Sequence, residues 1–329
     1  MIIPKVKVSN DSLARQQHES LVAKVKHWAF LGRIFLVVEG DVEDSSIDSI
    51  YGLIKKVSGY CDLLIRFDSA SDNVAIEMLN VGASQLIVGS ASQFEQWPTV
   101  PQDRVTLDSD LSDVYCIENL ESNPDVITDF LVAKLKSDRP DGMWPTVICD
   151  PLGVALGLAY SNRESLGHAI ATRKGTYWSR SRDELWVKGA SSGATQQLLG
   201  IRIDCDSDCL RFTVTQDPPG FCHKKTYTCF GEERSIATVL QRLAERIVSS
   251  NERSFTRRLA TDASLLEKKL LEEAKELSDA SQEDDRYEVA WETADVFYFS
   301  LVAMLKSGVG LDEVYAELAR RMNRVIRRD

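Results

Sequence analysis

The chain has 329 residues, 43% of them hydrophobic and 27% charged, and carries a formal net charge of −11. Length and composition suit two or three globular domains and exclude a disordered chain as the default. The negative balance argues against long-range attraction to DNA, RNA or anionic membrane, so a phosphorylated small molecule would have to be met by local cations or bound metal.

No apolar run approaches the roughly 20 residues of a membrane span. The start Met1-Ile2-Ile3-Pro4-Lys5 lacks the basic and apolar regions of a signal peptide. The expectation is a cytoplasmic protein without a nucleic-acid or membrane partner. Seven unevenly placed cysteines suit reduced thiols or metal ligands better than a disulfide scaffold.

In chain order, residues 1–138 alternate short apolar strands with helices: Arg33 to Val38, a helix through Ile47 to Val57, Leu63 to Phe67, a helix near Val74 to Asn80, then Leu86 to Gly89. This is a β/α pattern. Ser137-Asp138-Arg139-Pro140-Asp141-Gly142 reads as a linker. Residues 139–231 form an α+β unit, with strands from Thr146, Ala155, Thr176 and Glu184, then Leu198 to Asp206 and Cys209 to Thr215, and one helix from Arg163 to Arg173. Residues 232–329 read as an all-α helical bundle, with helices near 235–248, 262–280, 286–307 and 311–327.

If Ile201 to Asp206 is a strand, alternation puts Cys205 on one face and Asp204 and Asp206 on the other, with Asp208 joining them from the turn. Thiolates suit Zn²⁺ and carboxylates suit Mg²⁺, so one strand could serve two different metals. Downstream, Cys222 and Cys229 complete a three-thiolate set, and three ligands with one open position is the catalytic zinc arrangement. His223 beside Cys222 is the natural proton shuttle, since imidazole titrates near neutrality. The bland alternative is that such cysteines are small buried hydrophobes, the reading given to Cys61, Cys116, Cys149 and Cys209. Spacing alone leaves the two open.

The run Tyr177-Trp178-Ser179-Arg180-Ser181-Arg182, with Trp186, Lys188-Gly189, Ser192-Gly193, Gln196, Asp204-Cys205-Asp206-Ser207-Asp208, Cys222-His223 and Cys229-Phe230, resembles phosphoribosyl-AMP cyclohydrolase. The resemblance implies zinc on Cys205, Cys222 and Cys229, magnesium on Asp204, Asp206 and Asp208, and zinc ligands drawn from two subunits, hence a homodimer. Trp178, Arg180, Arg182, Lys188 and Ser192 are candidate substrate contacts. Arg180 and Arg182 would alternate onto one strand face and bind phosphate, the alternative being a solvated face. Two departures stand out. The usual Glu-Thr-Ser-Gly is Ala190-Ser191-Ser192-Gly193, and a second histidine is replaced around Thr226-Tyr227.

In the helical third, Glu272 and Glu276 lie about 40° apart on a helix with Glu273 flanking them, and Glu288, Glu292 and Asp295 form a second stripe. Either stripe could be solvated. Beyond Asp295 the second helix is apolar nearly all round, so a buried helix with its carboxylates facing another helix is expected. Ser254 to Leu259, Lys269 to Glu276 and Glu292-Thr293-Ala294-Asp295 resemble phosphoribosyl-ATP pyrophosphatase. That resemblance implies Mg²⁺ held by Glu272, Glu273, Glu276, Glu292 and Asp295, with Glu273 and Glu276 helping to activate water. Lys269 and Arg258 are candidate phosphate contacts, with surface solubility as the alternative.

Asn80 to Gly89 resembles the helix-to-strand return of a phosphoribosyl-binding (β/α) barrel, yet 138 residues suffice for only about half of one. A half-barrel-like scaffold or dimerisation domain is expected, as in the fused fungal enzymes that the whole chain resembles. Those relatives often continue into a histidinol dehydrogenase domain. Together the resemblances imply conversion of phosphoribosyl-ATP to phosphoribosyl-AMP and pyrophosphate, followed by hydrolytic opening of the adenine ring at N1–C6. One rival is a zinc nucleoside deaminase fused to a house-cleaning nucleotide pyrophosphatase, disfavoured by the lack of an H-x-E and C-x-x-C pair. Another is a non-catalytic assembly protein with structural metals, disfavoured by His223.

Overall fold

The computed structural model describes residues 2–9, 15–39, 44–123, 125–231, 235–249, 253–283 and 285–325. Its contacts group the chain into two units, Met1–Gly231 with Tyr315–Asp329, and Glu232–Val314.

The first unit holds two six-stranded sheets. The first sheet is built from β1 (Ile3–Val8), α1 (Arg15–Trp28), β2 (Arg33–Val38), α2 (Asp44–Val57), β3 (Asp62–Phe67), α3 (Asp72–Val81), β4 (Gln85–Val88), α4 (Ala91–Phe94), β5 (Val105–Leu107), β6 (Val114–Cys116), α5 (Ile117–Ser122) and α6 (Asp125–Lys134). All of its strand pairs are parallel, in the order β5-β4-β3-β2-β1-β6. Ile34 to Val38 are buried without interruption, as strands covered on both faces must be. The strands follow one another in a single direction and β6 returns beside β1, so the sheet curls.

The second sheet comprises β7 (Trp144–Cys149), β8 (Ala155–Ser161), α7 (Arg163–Thr172), β9 (Thr176–Ser179), β10 (Glu184–Val187), β11 (Gln196–Ile203) and β12 (Leu210–Gln216). Its order is β10-β9-β8-β7-β12-β11, which leaves β11 at an edge. Asn162 and Ser165 start α7 with reciprocal side-chain to backbone bonds.

The remaining helices are α8 (Ile236–Ser249), α9 (Phe255–Thr261), α10 (Ala263–Glu283), α11 (Arg286–Ser307) and α12 (Leu311–Met322). The short α9 escapes sequence periodicity and is started by Ser254, whose side chain accepts from Arg257 N. For the helix expected to run to 327, residues 326 and 327 lie outside the described residues. Asp285 caps α11 through Tyr287 N and Glu288 N, and Gly308 at φ 68° ends it. The burial expected of α11 holds for Phe299, Leu301 and Val302, but its other side is open: Phe297 is 56% exposed and Trp291 56%. Among the described residues no single helix is long and apolar enough to cross a membrane.

Candidate active sites

The strand expected to run through Asp206 ends at Ile203. Asp204 Oδ1 accepts the backbone N–H groups of Asp208 and Cys209, each at 3.0 Å, and Ser207 adopts φ 70°. These bonds turn the chain, so the expected placement of Cys205 and the aspartates on opposite strand faces is corrected: they share a turn. Oxygens of Asp204, Asp206 and Asp208, all exposed, lie within 4.8 Å of one another. Against a desolvation penalty, the N–H groups of Cys209 and Asp208 hold the Asp204 carboxyl below its ordinary range. The charge of Asp206 raises that of Asp208. Such a trio of carboxylates could hold a hard cation.

Cys222 and Cys229 stand together in a cleft of about 880 Å³ between the β10 end and the loop after β12. Lys224 N donates to Cys222 Sγ at 3.5 Å, and this bond lowers the Cys222 thiol below its usual range. Burial, then the neighbouring Cys222, pushes Cys229 the other way. A lowered thiol beside a raised one means that this pair gives up its first proton more easily than its second. Exposed His223 has Nδ1 3.9 Å from Cys222 Sγ. Cys205 does not line this cleft, and among the described residues the three thiols form no metal-holding group within one chain.

The candidate phosphate contacts divide. Lys188 is buried in the cleft wall, where Nζ donates to Ala194 O at 3.1 Å and burial lowers its pKa. Arg182 and Ser192 also line the cleft. Arg180 and Arg182 do not alternate along a strand as expected, because β9 ends at Ser179 and the chain turns through Asp183 at φ 51°. Arg180 stacks on Tyr160, 3.7 Å from the ring centroid, while Arg182 pairs with Glu184 at 2.8 Å. Trp178 is outside the cleft and donates to Asp183 Oδ1 at 3.2 Å.

In the helical unit, Glu273 and Glu276 of α10 and Glu292 of α11 place oxygens within 4.8 Å of one another. Glu273 is buried, and Glu292 Oε2 is buried with no hydrogen-bond partner. Desolvation, then the charges of Glu276 and Glu273, raises the Glu292 carboxyl. A buried, unpartnered carboxylate oxygen facing two more acids is a site that asks for a cation. Lys269 Nζ meets both Glu272 and Glu273 at 3.0 Å. Glu272 therefore sits on the lysine side of the cluster, and Asp295 is half-buried near Glu292. Arg258 is exposed near the end of α9.

Sequence reasoning missed the residues that hold the thiol loop. Tyr227 Oη donates to buried Asp150 at 2.7 Å, Gln216 Nε2 donates to Tyr227 O at 3.1 Å, and the ring of Phe221 packs over Gly157. The only local signal is Asp150-Pro151-Leu152-Gly153, whose acid accepts from Leu152 N and Val154 N as turn aspartates do.

Residues 157–231 match the phosphoribosyl-AMP cyclohydrolase family and residues 237–322 the phosphoribosyl-ATP pyrophosphohydrolase family. The histidine biosynthesis trifunctional protein of Kluyveromyces lactis is 36% identical over 310 residues, covering 89% of this chain and 38% of that protein. The bifunctional protein his7 of Schizosaccharomyces pombe is 42% identical over 202 residues, covering 61% and 48%. The bifunctional protein HisIE of Prochlorococcus marinus is 35% identical over 212 residues, covering 59% of this chain and 96% of its own length. The chain thus spans between about a quarter and a half of the fungal relatives. It belongs to the histidine-biosynthesis family of bifunctional hydrolases that join a phosphoribosyl-AMP cyclohydrolase domain to a phosphoribosyl-ATP pyrophosphohydrolase domain.

Proposed function

We propose that the helical unit hydrolyses phosphoribosyl-ATP to phosphoribosyl-AMP and pyrophosphate, and that the cleft beside β10 then opens the adenine ring between N1 and C6. The observation that carries the reading is the gathering of Glu273, Glu276 and Glu292 around a buried, unpartnered oxygen, in the same chain as the paired thiols Cys222 and Cys229.

Glu273, Glu276 and Glu292 would hold Mg²⁺, with Glu272 and Asp295 beside them. Cys222 and Cys229 would hold Zn²⁺ together with Cys205, and Asp204, Asp206 and Asp208 a further Mg²⁺. Cations bound there would supply Lewis acidity: Mg²⁺ would neutralise phosphate charge, and Zn²⁺ would bring the pKa of a bound water to about 7. Lys269 and Arg258 orient the triphosphate. Lys188, Arg182 and Ser192 bind the phosphoribosyl groups, and His223 moves the proton that N1 must gain as the ring opens. Alkylation at N1 makes C6 electrophilic, which suits attack by water at that carbon.

Because Cys205 stands apart from the cleft in one chain, the three-thiolate set calls for a second copy, and a homodimer is part of this reading. The open apolar side of α11 at Trp291 and Phe297 supports an assembly of more than one chain. We place the protein in the cytoplasm, and read the third activity of the trifunctional relatives as a histidinol dehydrogenase domain. The test is incubation with phosphoribosyl-ATP and Mg²⁺ while pyrophosphate release and ultraviolet absorbance are followed together. Absence of both signals would sink the proposal.

A further inference from the structure

The described part of residues 1–138 holds none of the candidate site residues, yet besides packing α6 on α7 it touches β11, the strand that leads into Asp204-Cys205-Asp206. β11 lies at the sheet edge, and an edge strand needs cover. The turn Ala29–Leu31 lies against it. Gly200, just after a register shift in β11, faces this turn: the position a Cβ would take there is 3.9 Å from Phe30 O, an ordinary van der Waals separation.

Two residues further on, the Arg202 guanidinium lies directly over Gly32, whose φ of 86° and lack of a Cβ are both needed there. Burial lowers the Arg202 pKa. On the far side of the turn, Lys136 N donates to Ser207 O at 2.7 Å. A further clasp comes from Arg173. Its carbonyl accepts Leu198 N at 2.8 Å, and its guanidinium lies 3.4 Å from the centroid of the Phe30 ring. The acidic turn is therefore gripped at both ends, at Arg202 by Gly32 and at Ser207 by Lys136.

We propose that the N-terminal domain is a splint for this turn, with Arg202 and Phe30 as positioning residues that fix where Cys205 and the three aspartates stand. The inference rests on the reading of the turn as a metal site and goes beyond it by giving the N-terminal domain a part in that site. Held at both ends, the turn keeps its donors in place before a cation arrives, so less ordering accompanies binding. Plain interdomain packing would instead lower stability and leave metal affinity alone.

The experiment uses the full chain, with Co²⁺ as the probe and its thiolate charge-transfer absorption as the signal. Arg202→Met keeps the alkyl stem and removes the guanidinium, and Phe30→Ala loosens the neighbouring contact. Both variants should need about tenfold more Co²⁺ for half-saturation, the scale seen when groups supporting metal ligands are lost. Pyrophosphate release by the helical unit should stay unchanged, which controls for global unfolding. Wild-type Co²⁺ affinity in both variants would overturn the splint, as would a loss of binding that only tracks the melted fraction. A wild-type chain that shows no thiolate absorption overturns the metal site and the splint together. One that binds Co²⁺ but opens no ring overturns the proposed activity alone, leaving the splint to be judged by the titration.

Discussion

The phenol of Tyr227 donates a 2.7 Å hydrogen bond to Asp150 Oδ2, tying the loop between Cys222 and Cys229 to the end of β7, 77 residues away in sequence. The other oxygen of Asp150 is occupied by Leu152 N and Val154 N at 2.9 and 2.8 Å. Burial, and then Asp150, pushes the phenol above its ordinary range, so it remains a donor. Tyr227→Phe should cost about 1–3 kcal/mol, toward the lower end because the phenol is only half-buried. Urea unfolding measures this, and an unchanged midpoint would show that the bond holds nothing.

Gly157 lies in β8 with the Phe221 ring where a Cβ would stand. Gly157→Ala must push that ring aside, and Phe221 precedes Cys222. A loss of about 1–3 kcal/mol is expected from overpacking. Co²⁺ affinity at the thiols should weaken alongside it. Retained affinity in a destabilised variant would separate the Phe221 packing from the metal site.

Lys269 joins Glu272 and Glu273 on the flank of the helical acid cluster, and those two bonds, Glu272 first, raise its pKa to about 12. Lys269→Met removes the ammonium that Glu272 and Glu273 share and leaves buried Glu273 facing Glu276 and Glu292. With chelator present the variant should melt below the wild type. Added Mg²⁺ should then raise its midpoint by more than the wild type gains, because the cation binds the folded cluster. Equal Mg²⁺ responses would argue against cation binding there.

Glu317 is held down to about 2 by Arg320 and then Arg321. A depressed carboxyl stabilises the fold above the ordinary glutamate pKa, and that contribution is lost as pH falls from about 4.5 through about 2. Because Glu317 is partly exposed, solvent screening keeps the contribution to about 1 kcal/mol or less. Glu317→Gln should therefore melt below wild type at pH near 7, and the gap should shrink as the solution is acidified. A gap that is constant with pH would assign the effect to packing.

What the sequence revealed and what it hid follow from the range of the interactions. Glu292 facing Glu273 was legible because helical periodicity fixes which side chains share a face. The end of β11 was not, since the alternation of Ile201 to Asp206 continues past Ile203 while the bonds from Asp204 to Asp208 N and Cys209 N bend the chain. The Arg180–Asp183 turn misled in the same way, having no glycine to mark it. Asp150 and Tyr227 meet only through the fold, so no local pattern could pair them. Phe297 was expected inside because apolar periodicity shows that a face seeks cover, without showing whether cover comes from the same chain.

Two donor sets acting on one substrate in sequence is the central claim, and single-turnover assays with Glu273→Gln and Cys222→Ser beside the wild type test it most directly. Each chain is given phosphoribosyl-ATP and, separately, phosphoribosyl-AMP, with Mg²⁺ and Zn²⁺ present. Glu273→Gln should release no pyrophosphate yet still open the ring of supplied phosphoribosyl-AMP. Cys222→Ser should release pyrophosphate at the wild-type rate and open no ring. Ring opening that survives Cys222→Ser, or pyrophosphate release that survives Glu273→Gln, would contradict the account.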